Sequence, residues 1–338
     1  MFNQPRVNSR TVSWHDLAWP ADWAAMFGAS RPLIVEIGFG HGAFLVHLAR
    51  TFPQHNIIGL EINNRSIAST ERLIAREKVT NVRLIHSTAE TALAHLIEPA
   101  AVEQIHINFP DPWFKTKHSH RRLLRRENVD WMVSRLAPGG SLYLATDIFD
   151  YATMSADVLL NTPGLDNLLP APYVNEMPGR TVTKYEAEAK QAGRTCYYFA
   201  FRRNAIPAAD LPVIKELDMP HLVFRSPVSL DAMNAAFTDQ IETHLNEGEL
   251  HINFMGCYRG RDSLLIETAV SEPTIDQRVA LLVLERWREG KTDEYTIQLS
   301  TLGHPRPTEG IHRAVRLLAD RLLALHPDSV VLNQKLRE

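Results

Sequence analysis

The chain has 338 residues and a formal net charge of −3, with 36 Lys and Arg against 39 Asp and Glu. That length suggests two domains, and no apolar run nears the roughly 20 residues that span a bilayer, so no membrane association is expected. Two cysteines, Cys196 and Cys257, are too few for a disulfide scaffold and lack metal-ligand spacing, and the N-terminal stretch has no apolar export core; a cytoplasmic protein without a metal site is expected.

Residues 1–30 hold Trp14, Trp19 and Trp23 among turn formers and read as an irregular arm with a short helix. Residues 32–37 read as a buried strand, 38–42 as a tight glycine loop and 43–51 as an amphipathic helix. A second strand, 56–61, ends in Glu61. Helical periodicity over 64–78, a strand at 82–86, a helix at 88–96 and a strand at 103–109 follow. Residues 128–136 read as a helix closed by Pro138-Gly139-Gly140, 141–146 as a strand ending at Asp147, 149–160 as a helix and 196–202 as a late strand. This alternation predicts an α/β, Rossmann-like, doubly wound and mostly parallel sheet over residues 31–204. The Pro- and Ala-rich stretch 205–218 reads as a linker. Residues 219–338 read as a smaller α+β domain. It has a helix capped by Ser229 running to about 246, strands at 251–254, 263–270, 279–287 and 294–299, and a helix at 308–325 capped by Thr308. Residues 1–209 carry 22 Lys and Arg against 19 Asp and Glu, residues 210–338 only 14 against 20. The acidic second half has no recognisable motif and is expected to stabilise or dimerise the chain.

The most informative stretch is 104–126. An apolar strand runs into Pro110-Asp111-Pro112-Trp113, followed by Lys115, Lys117, Arg121, Arg122, Arg125 and Arg126 with His118 and His120 between them and no acid. Each proline biases the preceding residue toward extended geometry, so Asp111 is expected on a stiff backbone at a strand's carboxyl end. Ligands of open α/β sheets bind at those ends. An acid, an indole and a cationic run there suit a nucleobase with phosphates nearby. The plainer alternative is a Pro-stiffened turn before an exposed, solvated basic helix. Trp113 is equally readable as a base-stacking or a core tryptophan.

Gly38, Gly40 and Gly42 between a strand and a helix let a ligand approach the backbone. The relaxed dinucleotide fingerprint is also satisfied, and both a nicotinamide dinucleotide and an adenosyl cofactor would use Glu61 for ribose hydroxyls. Glu36 tilts the choice. A carboxylate aimed into the loop, with no arginine close enough in the loop to offset it, suits an amino-bearing cofactor better than a pyrophosphate. S-adenosylmethionine has a sulfonium, an amino group and no phosphate.

Together, the runs 36–42, 109–115, 117–122, 145–147 and 183–186 resemble the bacterial tRNA (guanine-N7-)-methyltransferases, in order and spacing, over about residues 30–203. The resemblance implies methyl transfer from S-adenosylmethionine to N7 of a tRNA guanosine at position 46 of the variable loop. It further implies Glu36 and Glu61 as cofactor ligands with the glycines Gly38, Gly40 and Gly42, and Asp111 as the catalytic residue close to cofactor and base. Lys115, Asp147, Thr183, Lys184, Tyr185 and Glu186 would bind substrate, and Lys117, His118, His120, Arg121 and Arg122 would contact RNA. The family's usual Asp-Ala after the third strand corresponds here to Thr88-Ala89, so either Thr88 or Glu90 takes the adenine-contacting role. A monomer or homodimer with tRNA as partner is expected. The alternative from another class is an RNA-binding protein that keeps the fold without turnover.

Overall fold

The structure, a computed structural model, describes residues 10–113, 122–239, 242–286 and 293–337. The chain divides into two compact units, Met1–Lys215 and Glu216–Glu338. Among the described residues no helix is long and apolar enough to cross a membrane.

Unit 1 is built on strands β1 (Thr11–Ser13), β2 (Leu33–Ile37), β3 (Asn56–Glu61), β4 (Val82–His86), β5 (Val102–Asn108), β6 (Leu136–Thr146), β7 (Leu165–Asn167) and β8 (Tyr197–Arg203). Their order is β1-β4-β3-β2-β5-β6-β8-β7. The first five pairings are parallel, and β8 and β7 close the edge in antiparallel fashion. Helices α1 (Trp23–Phe27), α2 (Ala43–Thr51), α3 (Asn64–Glu77), α4 (Ala89–Thr91, continued by a π turn over Ala92–Leu96), α5 (Arg126–Arg135), α6 (Phe149–Leu160) and α7 (Lys184–Gln191) intervene. The central strands are buried almost throughout, as a sheet covered on both faces requires. Phe44, Leu45 and Leu48 of α2 and Ile67 and Ile74 of α3 pack on Ile34, Ile57 and Leu84. The order of the strands reverses between β2 and β5. That switch point opens a crevice at their carboxyl ends, and this is what positions the site.

Two local expectations for this unit are corrected. The N-terminal arm is not wholly irregular: Leu84 N donates to Arg10 O (2.8 Å) and Thr11–Ser13 adds a strand to β4. A three-residue edge strand made only by tertiary pairing leaves no periodicity to read. Residues 205–215, which lack periodicity, are tied to unit 1, where Arg135 Nη1 donates to Leu211 O (2.7 Å) and His95 Nδ1 lies 3.0 Å from Ile214 O.

Unit 2 is an antiparallel sheet of β9 (His221–Arg225), β10 (His244–Glu247), β11 (Leu250–Arg259), β12 (Ser263–Glu272), β13 (Ile275–Glu285), β14 (Glu294–Leu299) and β15 (Val330–Lys335), in the order β10-β11-β12-β13-β14-β9-β15. Helices α8 (Leu230–Asp239) and α9 (Glu309–Leu323) bury Leu230, Met233, Ile311, Val315, Leu318 and Leu322 in one core with the strands. β12 and β13 alternate buried and accessible residues, the signature of a sheet with one packed face. The helix expected to run to about 246 is described to Asp239 and has ended by residue 242. Residues 244–247 instead pair with β11 through a hairpin turned at Gly248, whose φ of +60° glycine adopts without strain.

Candidate active site

β2 delivers the chain into the glycine loop at the switch point. Gly38 (φ +72°) faces open space: a Cβ built there meets nothing within 4 Å, so a ligand can approach the backbone. Gly42 (φ +75°) has the opposite reason to be glycine, because a Cβ would lie 2.2 Å from Thr70 Cγ2 of α3. Thr70 Oγ1 donates to Gly40 O (3.1 Å), and Gly40 N donates to Glu61 Oε2 (3.0 Å). Glu61 Oε1 accepts from the amides of Ile62 (2.9 Å) and Asn63 (3.0 Å). The acid that ends β3 therefore fixes the loop, while its remaining lone pairs can still accept from hydroxyls.

Glu36 sits one strand over, 1% exposed. Its Oε1 accepts from Asn108 Nδ2 (3.0 Å), whereas Oε2 is buried without a partner. Burial pushes its carboxyl up to about 8, opposed by the Asn108 hydrogen bond and the positive charge of Arg180. Arg180 Nη2 donates to Asn108 Oδ1 (2.6 Å), and its guanidinium lies 4.8 Å from the Phe44 ring centre and 5.4 Å from that of Tyr198. A cation thus stands behind Glu36 after all. It comes from 144 residues downstream, which is why inspection of the loop alone finds none.

Thr183, Lys184 and Tyr185 line the same cleft as Glu36, Gly38, Gly40, Gly42 and Asn108. Thr183 caps α7 by accepting from Glu186 N (3.2 Å), Lys184 Nζ lies 3.3 Å from His41 Nε2, and the Tyr185 ring centre is 6.2 Å from that of His41. Glu186 points inward: its Oε1 accepts from Tyr198 OH (2.8 Å) and Lys190 Nζ (2.7 Å). At the neighbouring strand end Asp147 pairs with Arg194 Nε (2.7 Å).

Asp111 is exposed at the end of β5, outside the lining of that cleft but on the same edge of the sheet. The turn carrying it differs from expectation. Phe109 is not extended but left-handed (φ +53°), as is Trp113 (φ +39°). Phe109 N donates to Ala145 O (2.8 Å), and its ring packs on Ala145, Ala189, Cys196 and Tyr198. Packing therefore overrides the preference set by Pro110, at a cost of about 1–3 kcal/mol per strained residue. Strain of this kind brackets Asp111 on both sides. Trp113 is half-buried, and its carbonyl accepts from Arg122 Nε (3.1 Å). Arg122 also reaches Met154 Sδ (3.5 Å), so it is a half-buried clamp and not part of an exposed face. Arg126 likewise bonds Asp130 Oδ1 (3.0 Å) and Asn161 O (3.0 Å). Lys115, Lys117, His118, His120 and Arg121 lie outside the described residues. Thr88 caps α4, accepting from Thr91 N (3.1 Å), and Glu90 Oε1 accepts from Asn128 Nδ2 (3.0 Å). Sequence reasoning missed Asn108 and Arg180. An amide at the last position of a buried strand is the signal for the first, since it must find partners; a lone Arg after Pro-Gly gives none for the second.

An adenosyl cofactor with an amino-acid tail fits this chemistry. A buried, unpartnered carboxylate oxygen can take an ammonium group, an open glycine backbone can take the tail, and the acid ending β3 can take the ribose. The loop 38–42 holds no Lys or Arg for a pyrophosphate. A doubly wound sheet with this site at its switch point is an S-adenosylmethionine-dependent methyltransferase. Residues 30–199 match the family model described as "Putative methyltransferase". A protein of Thermus thermophilus is 33% identical over 306 residues, covering 90% of this chain and 94% of its own length. Relatives from Burkholderia cenocepacia (38% over 184 residues, 54% of this chain and 72% of theirs) and Geobacter metallireducens (36% over 195 residues, 57% and 92%) match as well. All three are named tRNA (guanine-N(7)-)-methyltransferase. The chain belongs to the tRNA (guanine-N(7)-)-methyltransferase family, and its cofactor is S-adenosylmethionine.

Proposed function

We propose that the protein methylates N7 of guanosine in tRNA, at position 46 of the variable loop, with Asp111 as the catalytic residue. The observation that carries the role of Asp111 is the strained Phe109–Trp113 turn, which presents a carboxylate at the strand edge beside the cofactor cleft. S-adenosylmethionine supplies an electrophilic methyl carbon on a sulfonium. Guanine N7 has an in-plane lone pair and no proton, so the protein needs no general base. Its tasks are to align N7 with the methyl carbon and to exclude water. The N7–carbon bond forms as the carbon–sulfur bond breaks, the electron pair goes to sulfur, and positive charge arrives on the purine. A carboxylate near the ring stabilises that charge. Asp147 is already paired with Arg194, whereas among the described residues no ion pair is formed by Asp111, which favours Asp111 for this role. A carboxylate can also accept from guanine N1–H and N2–H₂, donors that adenine does not offer in that pattern. In this reading residues 183–185 sit between cofactor and base, and Lys115 and Asp147 bind the substrate. Residues 117–122 meet phosphates, Arg122 also by setting the Trp113 carbonyl.

The test is cleavage of enzyme-treated, otherwise unmodified tRNA by borohydride and aniline, which breaks the chain at 7-methylguanosine. A single break at position 46 supports the reading. Cofactor binding without any break sinks it, and a break elsewhere sinks the position.

A further inference from the structure

We infer that Arg180 and Asn108 are positioning residues that set which oxygen of Glu36 is offered to the amino group of the cofactor. The inference rests on the methyltransferase reading of the cleft and concerns residues that reading does not use. Asn108 has one acceptor and one NH₂ group. Arg180 can only donate, so the contact from its Nη2 forces Asn108 Oδ1 toward the guanidinium. The Asn108 NH₂ must then face Glu36, where it donates to Oε1. With Oε1 engaged, Oε2 is left buried and unpartnered on a residue that lines the cleft of the glycine loop. The orientation of a carboxylate on β2 is thus decided by a guanidinium in the segment before α7. That guanidinium is itself fixed by the faces of Phe44 and Tyr198. Without Arg180 the amide is free to turn over. Held then by Glu36 alone, it can turn its oxygen toward a protonated Glu36, and the carboxyl loses its fixed donor and its fixed aim.

Only the amino-acid tail of the cofactor can sense this, and that separates positioning from general support of the cleft. The experiment measures, on the full chain, calorimetric affinity for S-adenosylhomocysteine and for methylthioadenosine, which has the nucleoside but no amino-acid tail. Arg180→Met keeps packing against the two rings and removes the donors. Arg180→Lys keeps one donor, and Asn108→Leu removes the amide. We expect Arg180→Met and Asn108→Leu each to weaken S-adenosylhomocysteine at least 10-fold while methylthioadenosine changes less than 2-fold, with Arg180→Lys partly restoring the first. Equal weakening of both ligands in the two variants would mean that the pair only holds the cleft together, and would overturn the inference. So would unchanged affinity for both. Failure of the unmodified protein to bind S-adenosylhomocysteine at all would instead reject the methyltransferase reading beneath it.

Discussion

The two units handle buried polar groups in opposite ways. In unit 2 they close the structure. Gln277 donates to Arg306 O (3.0 Å) and accepts from Arg306 N (2.8 Å). His312 Nδ1 accepts from Arg337 N (3.0 Å), which leaves Nε2 to donate to Asp218 O (2.8 Å). Glu272 accepts from Gly310 N (2.8 Å) and from Thr308 Oγ1 at the start of α9. In unit 1 the counterpart of Glu272 is Glu36, more deeply buried and with one oxygen left over. The same unit carries left-handed Phe109 and Trp113 beside Asp111. An unpaired buried carboxylate and bulky residues at positive φ both cost stability. They stand at the carboxyl edge of a parallel sheet, where a bound cofactor and base can offset them. Unit 2 has one left-handed non-glycine residue, His304 (φ +54°), and buried polar atoms without hydrogen-bond partners on Asn234 and Arg321, but among its described residues no buried carboxylate oxygen is left without a partner, which marks unit 1 as the reacting half.

The sharpest way to break this contrast is at Asp111. Asp111→Ala should lower single-turnover methylation about 100-fold or more, with S-adenosylhomocysteine affinity within 2-fold, because Asp111 does not line the cofactor cleft. A near-normal rate would remove it from the chemistry and leave the strained turn without a purpose.

Glu36 comes next. Glu36→Gln should weaken S-adenosylhomocysteine by roughly 10-fold or more, the scale of one charge-assisted hydrogen bond. It should also change the pH dependence of stability. The folded-state pKa of about 8 lies above the ordinary value of 4.5, so the folded protein holds this proton more tightly than the unfolded chain. That contribution is complete below pH 4.5 and is lost as pH rises toward 8. Thermal unfolding of the unmodified protein, followed without ligand, should therefore lose stability across this window, and Glu36→Gln should flatten the loss. Parallel curves for the two proteins would show that Glu36 is charged at neutral pH.

The basic run gives a smaller, graded effect. Lys117→Ala and Arg121→Ala should each weaken tRNA binding several-fold and reduce the log–log salt slope by about 0.7–0.9, the mark of one lost phosphate contact. Arg122→Ala should differ by also lowering the melting temperature, since its guanidinium holds Trp113 O and lies on Met154. Identical behaviour of Arg121 and Arg122 would return Arg122 to a plain phosphate contact.

How much of this was legible in the sequence follows the range of the forces involved. The central strands and their helices were readable because each buries its own apolar pattern, and the alternation of β12 and β13 was readable for the same reason. The glycine loop, Glu36 and Glu61 stand within a few residues of strand ends, so spacing found them. What failed was decided by contacts far apart in the chain. Phe109 takes its φ from a pocket made by Ala145, Ala189, Cys196 and Tyr198. Arg180 meets Asn108 across 72 residues. Arg122 reads in the sequence only as an RNA contact or a solvated charge, because nothing in its neighbourhood of sequence names Trp113 O or Met154 as partners.

The last prediction uses unit 2 as the control. α9 begins at Thr308, whose hydroxyl accepts from Ile311 N (3.4 Å), and the first-turn amide of Gly310 is taken by Glu272. Gly310 leaves no room for compensation, since a Cβ there would lie 2.6 Å from Glu272 Cδ. Glu272→Ala therefore strands a helix-start donor above the core that Ile311, Val315 and Leu318 build. The expected cost is about 1–2 kcal/mol, read as a lower denaturant midpoint. Single-turnover methylation and S-adenosylhomocysteine affinity, measured well below that midpoint, should not change. A carboxyl lost from unit 2 then moves stability without moving ligand affinity, whereas one lost at Glu36 moves ligand affinity; burial raises both carboxyls, so both losses touch the pH dependence of stability. If Glu272→Ala instead slows methylation at full folding, unit 2 takes part in the reaction and the division of labour between the halves falls.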